Sequence, residues 1–349
     1  MKRVIIAFWF LIMLTSSACA EDKENPYSFL RIRKEIRALE AQLKPIKETP
    51  ASFQSSPYGP GDYERLIEAG GRSRRYELHI PLGYTKNHPW PVVINYHGGG
   101  GRAATARIQS RMDKKADSAG FIVVYPEGTG PFGSFLLSWN AGACCGYAVE
   151  NNVNDVQYSC VLLDDLARLF NIDPYRIYAT GLSNGAFMSY RVACELADRI
   201  AAIAPIAGVM TVNECRPSRP VSIIHFHGTL DKFSPYNGGV GEKSYSKVDY
   251  LSVNQTIQIW LQRNKIPPTL VKREKKNHAV IEIYQGPNEP EVVLVTLVGM
   301  GHTWPKGRRM LPERKVGLKS HDISANDLMW DFFQRHSLES PTSTPPKKN

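Results

Sequence analysis

The sequence predicts an α/β fold, a mostly parallel central sheet with helices on both faces. Two observations predict it. Short, almost wholly apolar runs at residues 92–96, 121–125, 201–205 and 221–226 are too brief for helices and show no polar alternation, the pattern of strands buried on both faces. Between them lie segments whose apolar residues recur every three or four positions, as in helices that cover a sheet. A chain of 349 residues, 42% hydrophobic and 22% charged, can bury a sizeable core of this kind.

In order, residues 63–69 and 74–80 read as a hairpin about Gly70-Gly71. Strand 92–96 follows, then a helix over roughly 107–119 and strand 121–125. Val156, Cys160, Leu163, Ala167 and Phe170 mark one helix face, with Asn154 as its cap. Strand 176–180 leads into a helix from Asn184 to about Ala197, and strands 201–205 and 221–226 come next. A helix near 249–263, strands 279–284 and 292–297 and a helix near 325–336 complete the domain, 62–339. No internal repeat is apparent.

The ends read differently. Lys2 and Arg3, an apolar run over residues 4–14, and small residues ending in Ala18-Cys19-Ala20 form a secretory signal, with cleavage expected after Ala20. The run is too short to serve as a transmembrane anchor. The expected location is therefore secreted or periplasmic. A lipid anchor on Cys19 is the alternative, although Ser16 stands where that reading wants leucine. Phe29, Ile32, Ile36, Leu39 and Leu43 mark a helix face, and residues 50–60 are a Pro-, Gly- and Ser-rich linker, so 21–61 is a separate helical segment. Residues 340–349 form a polar, disordered tail.

The net charge of +10 becomes +8 without Lys2 and Arg3. The basic residues are scattered and no nucleic-acid motif accompanies them, so solvated faces are expected rather than a nucleic-acid partner. An exported chain favours disulfides. Cys144, Cys145, Cys160, Cys194 and Cys215 remain after cleavage, an odd number, and none lies in a C-x-x-C metal pattern. Cys194 and Cys215 flank a helix-to-strand passage and are a plausible pair.

The chemistry gathers after strands. Gly181-Leu182-Ser183-Asn184-Gly185 is a G-x-S-x-G stretch between strand and helix, the context of a nucleophile elbow. Glycines on either side let strand and helix approach closely. The helix start aims N–H groups and a positive dipole end at whatever Ser183 attacks. A serine hydroxyl needs a general base oriented by a carboxylate. Asp231 follows strand 221–226 and His302 follows strand 292–297, the chain order Ser, acid, His of the α/β-hydrolase fold. The oxyanion hole is assigned to the N–H of Asn184 and of Gly98 or Gly99, in the glycine run after strand 92–96. That run lacks the G-K-[ST] ending of a phosphate loop.

Other residues take lesser roles. His97 reads as pocket-lining or structural, Tyr236 as a substrate-pocket wall, and Trp139 and Trp304 as pocket walls or simple core residues. His225 and His227 form an H-x-H without a third ligand, so no metal is assigned. His79 and His278 read as surface residues, and Asp249 as a helix cap. No cofactor is needed by such a site.

Together "YHGGGG", "WNAGACCGYAVENNVNDV", "IDPYRIYATGLSNGAFMSYRVACE", "IAAIAPIAG", "HFHGTLD" and "GHTWP" resemble the secreted polyhydroxybutyrate depolymerase and feruloyl esterase family, α/β-hydrolases related to carbohydrate esterase family 1. The resemblance covers roughly residues 62–336. Motif by motif it implies Ser183 as nucleophile, Asp231 as acid and His302 as base, acting on ester substrates, polysaccharide-linked or polyester. Members often carry a cysteine after the helix matching 249–263, and this chain has none there. A serine peptidase of the same fold and a non-catalytic envelope or glycan-binding protein are the rival readings.

Overall fold

The computed structural model describes residues 58–286 and 290–338, with the backbone of Lys47–Glu48. The signal segment with Cys19, the helix face over 29–43 and the tail 340–349 lie outside the described residues.

The strands are β1 (Lys47–Glu48), β2 (Gly61–Ala69), β3 (Arg72–Ile80), β4 (Trp90–Tyr96), β5 (Ile122–Pro126), β6 (Ile172–Leu182), β7 (Ala202–Ile206), β8 (Ser222–Gly228), β9 (Gly239–Val240), β10 (Asp249–Tyr250), β11 (Lys272–Lys276), β12 (Ala279–Gln285) and β13 (Glu291–Leu297). The helices are α1 (Ala103–Ser110), α2 (Met112–Ala119), α3 (Gly146–Glu150), α4 (Asp155–Leu169), α5 (Asn184–Glu195), α6 (Val253–Arg263), α7 (Glu313–Val316) and α8 (Ala325–Phe333).

Eleven strands form one sheet in the order β1-β2-β3-β5-β4-β6-β7-β8-β13-β12-β11. Its middle, β5-β4-β6-β7-β8-β13, is parallel throughout. Antiparallel strands extend it on either side. Apolar side chains on the two faces feed separate cores. One holds Trp139, Tyr158, Tyr190 and Trp260, and the other Phe121, Phe226, Trp330 and Phe333. Helices therefore cover both faces, and the fold is that of the α/β-hydrolases.

The topology also places a crevice. From β4 the chain crosses to β5 on one side and returns to β6 on the other. In an open parallel sheet this reversal leaves an opening at the carboxyl ends of the strands, where ligands bind. The loops after β4 and β6 meet there.

Several elements differ from the sequence expectation. The helix expected over 107–119 is two helices, because Arg111 takes a left-handed backbone with φ 54° and its N–H closes α1 on the Arg107 carbonyl. Strand β11 was not anticipated, since KREKK has no apolar period. It is an exposed outer strand held by its ladder to β12, and its lysines suit an edge that must not recruit another chain. Asp249 does not cap α6 but lies in the short ribbon β9–β10. Ser252 caps α6 instead, in a reciprocal capping box with Gln255. Asn154 caps α4 through its side chain, as expected. His79 is buried rather than on the surface. Its cross-strand neighbour Asp62 lies 2.6 Å from Nδ1, and Asp117 lies 3.0 Å from Nε2.

Cys194 and Cys215 form a disulfide, as do the adjacent Cys144 and Cys145, which leaves Cys160 as the free cysteine among the described residues. Among the described residues no helix is long and apolar enough to cross a membrane.

Candidate active site

The turn between β6 and α5 is built by glycine. A methyl group on Gly185 would overlap the carbonyl oxygen of Tyr96 on β4, and one on Gly181 would crowd Gly185 and Tyr96. Strand and helix can cross this closely only without those side chains. At the tip Ser183 has φ 58° and ψ −122°, a conformation that costs a non-glycine residue energy and is found at functional turns. Its N–H donates to the Ile206 carbonyl at 3.0 Å, its side chain does not cap α5, and it is partly exposed among buried neighbours. The first N–H groups of α5 therefore open beside the hydroxyl rather than onto it.

The glycine loop after β4 packs on this turn. A methyl on Gly98 would lie 3.2 Å from the Leu182 carbonyl and 3.6 Å from Ser183 Cβ, and one on Gly99 3.7 Å from Asn184 Cβ. Three side chains brace the junction. Asn184 clamps the backbone of Trp139, with Oδ1 accepting from its N–H at 2.7 Å and Nδ2 donating to its carbonyl at 3.1 Å. The Trp139 indole N–H donates to the His97 carbonyl at 2.9 Å. His97 donates from Nδ1 to the Gly98 carbonyl at 2.8 Å and accepts at Nε2 from the Gly128 N–H at 2.9 Å. Both ring nitrogens are committed, and burial pushes the imidazole down to about 4, so it is neutral and no base.

On the same edge of the sheet, the turn after β8 carries Asp231 and the turn after β13 carries His302. Gly228 lets the two turns touch, since a methyl there would overlap the Met300 carbonyl. His302 Nδ1 lies 2.7 Å from Asp231 Oδ2. The other carboxylate oxygen accepts the Phe233 N–H at 2.8 Å and the Ser234 N–H at 3.0 Å. His227 Nε2 approaches Oδ2 at 3.4 Å. Burial would raise the Asp231 carboxyl, but the charge of His302 and hydrogen bonds from His227 and His302 outweigh it and hold the group well below the usual carboxylate range. The His302 ring stacks on Phe233 at 4.8 Å, which limits its rotation.

Ser183, Asp231 and His302 thus stand at the carboxyl ends of β6, β8 and β13, with Asp231 and His302 joined. Ser183 Oγ makes no hydrogen bond within the described residues. A pair of this kind can orient an imidazole so that its far nitrogen is left to accept a proton.

The aromatic residues expected to line a pocket are placed elsewhere. Trp139 has no exposed surface and serves as the brace described above. Trp304 is 2% exposed, sits in the core beneath α8 and donates to Asn326. Tyr236 packs edge-on against His227 and hydrogen-bonds Thr296. It faces a cavity of about 480 Å³ with Ile257 and Tyr284. A second cavity, of about 430 Å³, lies by Arg273 and His278. Neither touches Ser183, Asp231 or His302. Aromatic type alone does not tell a wall from a core. His227, weighed in the sequence only as half of an H-x-H, stands beside Asp231, and its place four residues before that aspartate is a usable signal.

No model of a protein family matches the chain. It is similar to feruloyl esterase B of Piromyces equi, 31% identical over 76% of this chain and 46% of that protein. It is also similar to the putative esterase NocK of Nocardia uniformis subsp. tsuyamanensis, 25% identical over 92% of this chain and 95% of that one. The chain thus spans under half of the first relative and nearly all of the second. Among solved structures, the acetyl xylan esterase from Aspergillus awamori superposes with a TM-score of 0.53 at 14% identity, over 77% of this chain and 99% of that one. The chain thus has the α/β-hydrolase fold and is related to proteins named feruloyl esterase and poly(3-hydroxyalkanoate) depolymerase.

Proposed function

We propose that this protein is an exported serine esterase that cleaves carboxylic esters through Ser183, His302 and Asp231. The observation that carries the reading is the buried His302–Asp231 hydrogen bond at the sheet edge that also bears the strained Ser183 turn. His302 takes the proton of Ser183 as the hydroxyl attacks the ester carbonyl, and Asp231 stabilises the imidazolium. The N–H groups of Asn184 and of Gly98 or Gly99 receive the developing oxyanion. The alcohol leaves with the proton from His302, and water then cleaves the acyl-enzyme by the same steps in reverse.

The relatives' names point to feruloyl or acetyl esters of polysaccharide, or short hydroxyalkanoate esters, as the substrate class. Export rests on the signal pattern of residues 1–20. The test is labelling with a fluorophosphonate, followed by hydrolysis of feruloyl, acetyl and 3-hydroxybutyrate esters by wild type and Ser183→Ala. Wild type should be labelled at Ser183, and the variant should lose at least roughly a thousandfold in kcat. Equal, slow hydrolysis by both proteins would leave a non-catalytic role. Faster cleavage of a matched amide than of its ester would make the protein a peptidase.

A further inference from the structure

The HFH motif on β8 has no part in the mechanism so far. His225 and His227 are two residues apart on one strand, so their side chains share a face, and both are fully buried. They lie in a line of hydrogen bonds that ends at the Ser234 carbonyl, beside Asp231. Tyr190 Oη on α5 is 2.7 Å from His225 Nδ1. His225 Nε2 is 3.1 Å from His227 Nδ1. His227 Nε2 is 2.8 Å from the Ser234 carbonyl and 3.4 Å from Asp231 Oδ2.

The direction of every proton follows from the far end. His227 Nε2 faces a carbonyl and a carboxylate, neither of which donates, so this nitrogen carries the hydrogen. With its hydrogen on Nε2, His227 accepts at Nδ1, and His225 Nε2 donates to it. His225 in turn accepts at Nδ1, and the Tyr190 hydroxyl donates to it. Burial pushes the His225 imidazole well below its ordinary range and keeps it neutral, so the one-way order is stable.

We propose that Tyr190, His225 and His227 are positioning residues whose hydrogen-bond chain fixes the His227 Nε2–H, donated to the Ser234 carbonyl, 3.4 Å from Asp231 Oδ2 and so holds that oxygen against His302. The inference rests on the reading of Asp231 and His302 as acid and base. A carboxylate offers about four acceptor sites. Here the Phe233 and Ser234 N–H groups occupy Oδ1, His302 takes Oδ2, and the His227 Nε2–H stands 3.4 Å from that same oxygen. Without His227, Oδ2 would be tethered only by the ring it must orient. Tyr190 sets the tautomer. Without its hydroxyl, His225 can reverse, and a reversed His225 presents an acceptor to His227 and draws the proton away from the Asp231 side.

The test uses the full chain, an aryl ester, and the variants His227→Gln and Tyr190→Phe, with Ser183→Ala and fluorophosphonate labelling as controls. His227→Gln should lower kcat roughly tenfold to a hundredfold, with KM within about twofold. Tyr190→Phe, which removes one oxygen, should lower kcat roughly threefold to tenfold. In both, the downfield proton resonance of the His302–Asp231 hydrogen bond should move, which loss of packing elsewhere would not cause. Wild-type kcat with an unmoved resonance in folded Tyr190→Phe overturns the proposal, whether or not His227→Gln folds. Full activity in Ser183→Ala without labelling of wild type is a separate result, and would overturn the reading on which the proposal rests.

Discussion

The glycines around Ser183 are not equivalent, and the difference is measurable. Gly185 has no room for a methyl because the Tyr96 carbonyl occupies its place. Tyr96 belongs to a central strand flanked on both sides, so that oxygen cannot retreat. Gly185→Ala should therefore cost several kcal/mol of stability through overpacking and abolish fluorophosphonate labelling of Ser183. Gly99 is different, since a methyl there makes ordinary contact with Asn184 at 3.7 Å. Gly99→Ala keeps its N–H and should unfold within about 0.5 kcal/mol of wild type in urea while still reacting with the probe. Equal losses in both variants would sink this account. Ser183, Asp231 and His302 were legible as candidates because each follows a strand whose apolar run is easy to read. The roles of Trp139 and Trp304 were not. Their burial depends on which face of a loop meets the core, and local spacing carries no information about that.

At the scale of elements, strands buried on both faces, such as β4, β7 and β8, were legible because a long apolar run has few other uses. The break at Arg111 and strand β11 were not, since one depends on a single left-handed residue and the other on a neighbour's open ladder. The Cys194–Cys215 bridge acts at this scale too. It ties the end of α5 to the loop before β8, 21 residues on, and the Arg263 side chain at the end of α6 donates to the Cys215 carbonyl at 2.9 Å. Closing a loop of this length removes conformational freedom from the unfolded chain worth roughly 3 kcal/mol. The double variant Cys194→Ala, Cys215→Ala should lose about that much stability in urea, while kcat on an aryl ester stays near wild type because the bridge lies away from Ser183 and His302. A wild-type urea midpoint in the double variant would show that the bridge contributes nothing to folding.

For the whole molecule, pH acts through charges buried under the sheet rather than through surface pairs. Arg65 and Arg74 reach Asp165 and Asp155 as buried ion pairs, so those carboxylates have partners. Glu77 on β3 is served less well. It is 2% exposed, one oxygen has no hydrogen bond, and Arg75 and Arg107 stand no closer than 3.5 and 4.0 Å. Burial, reinforced by the charges of Glu127 and Glu64 against those of Arg75 and Arg107, pushes it up to about 7 from an ordinary 4.5. The unfolded chain releases this proton near 4.5, whereas the folded chain holds it to about 7. Between those values the folded state binds more protons, so stability falls as pH rises through the window and is level above it. The span corresponds to roughly 3 kcal/mol. Glu77→Gln keeps the shape and the neutral form, and so removes this component. Its unfolding free energy in urea, compared with wild type at pH 5, 6, 7 and 8, should gain steadily on wild type up to about pH 7 and then run parallel. A constant difference across the series would mean that Glu77 is ionised throughout and that Arg75 and Arg107 already compensate its burial.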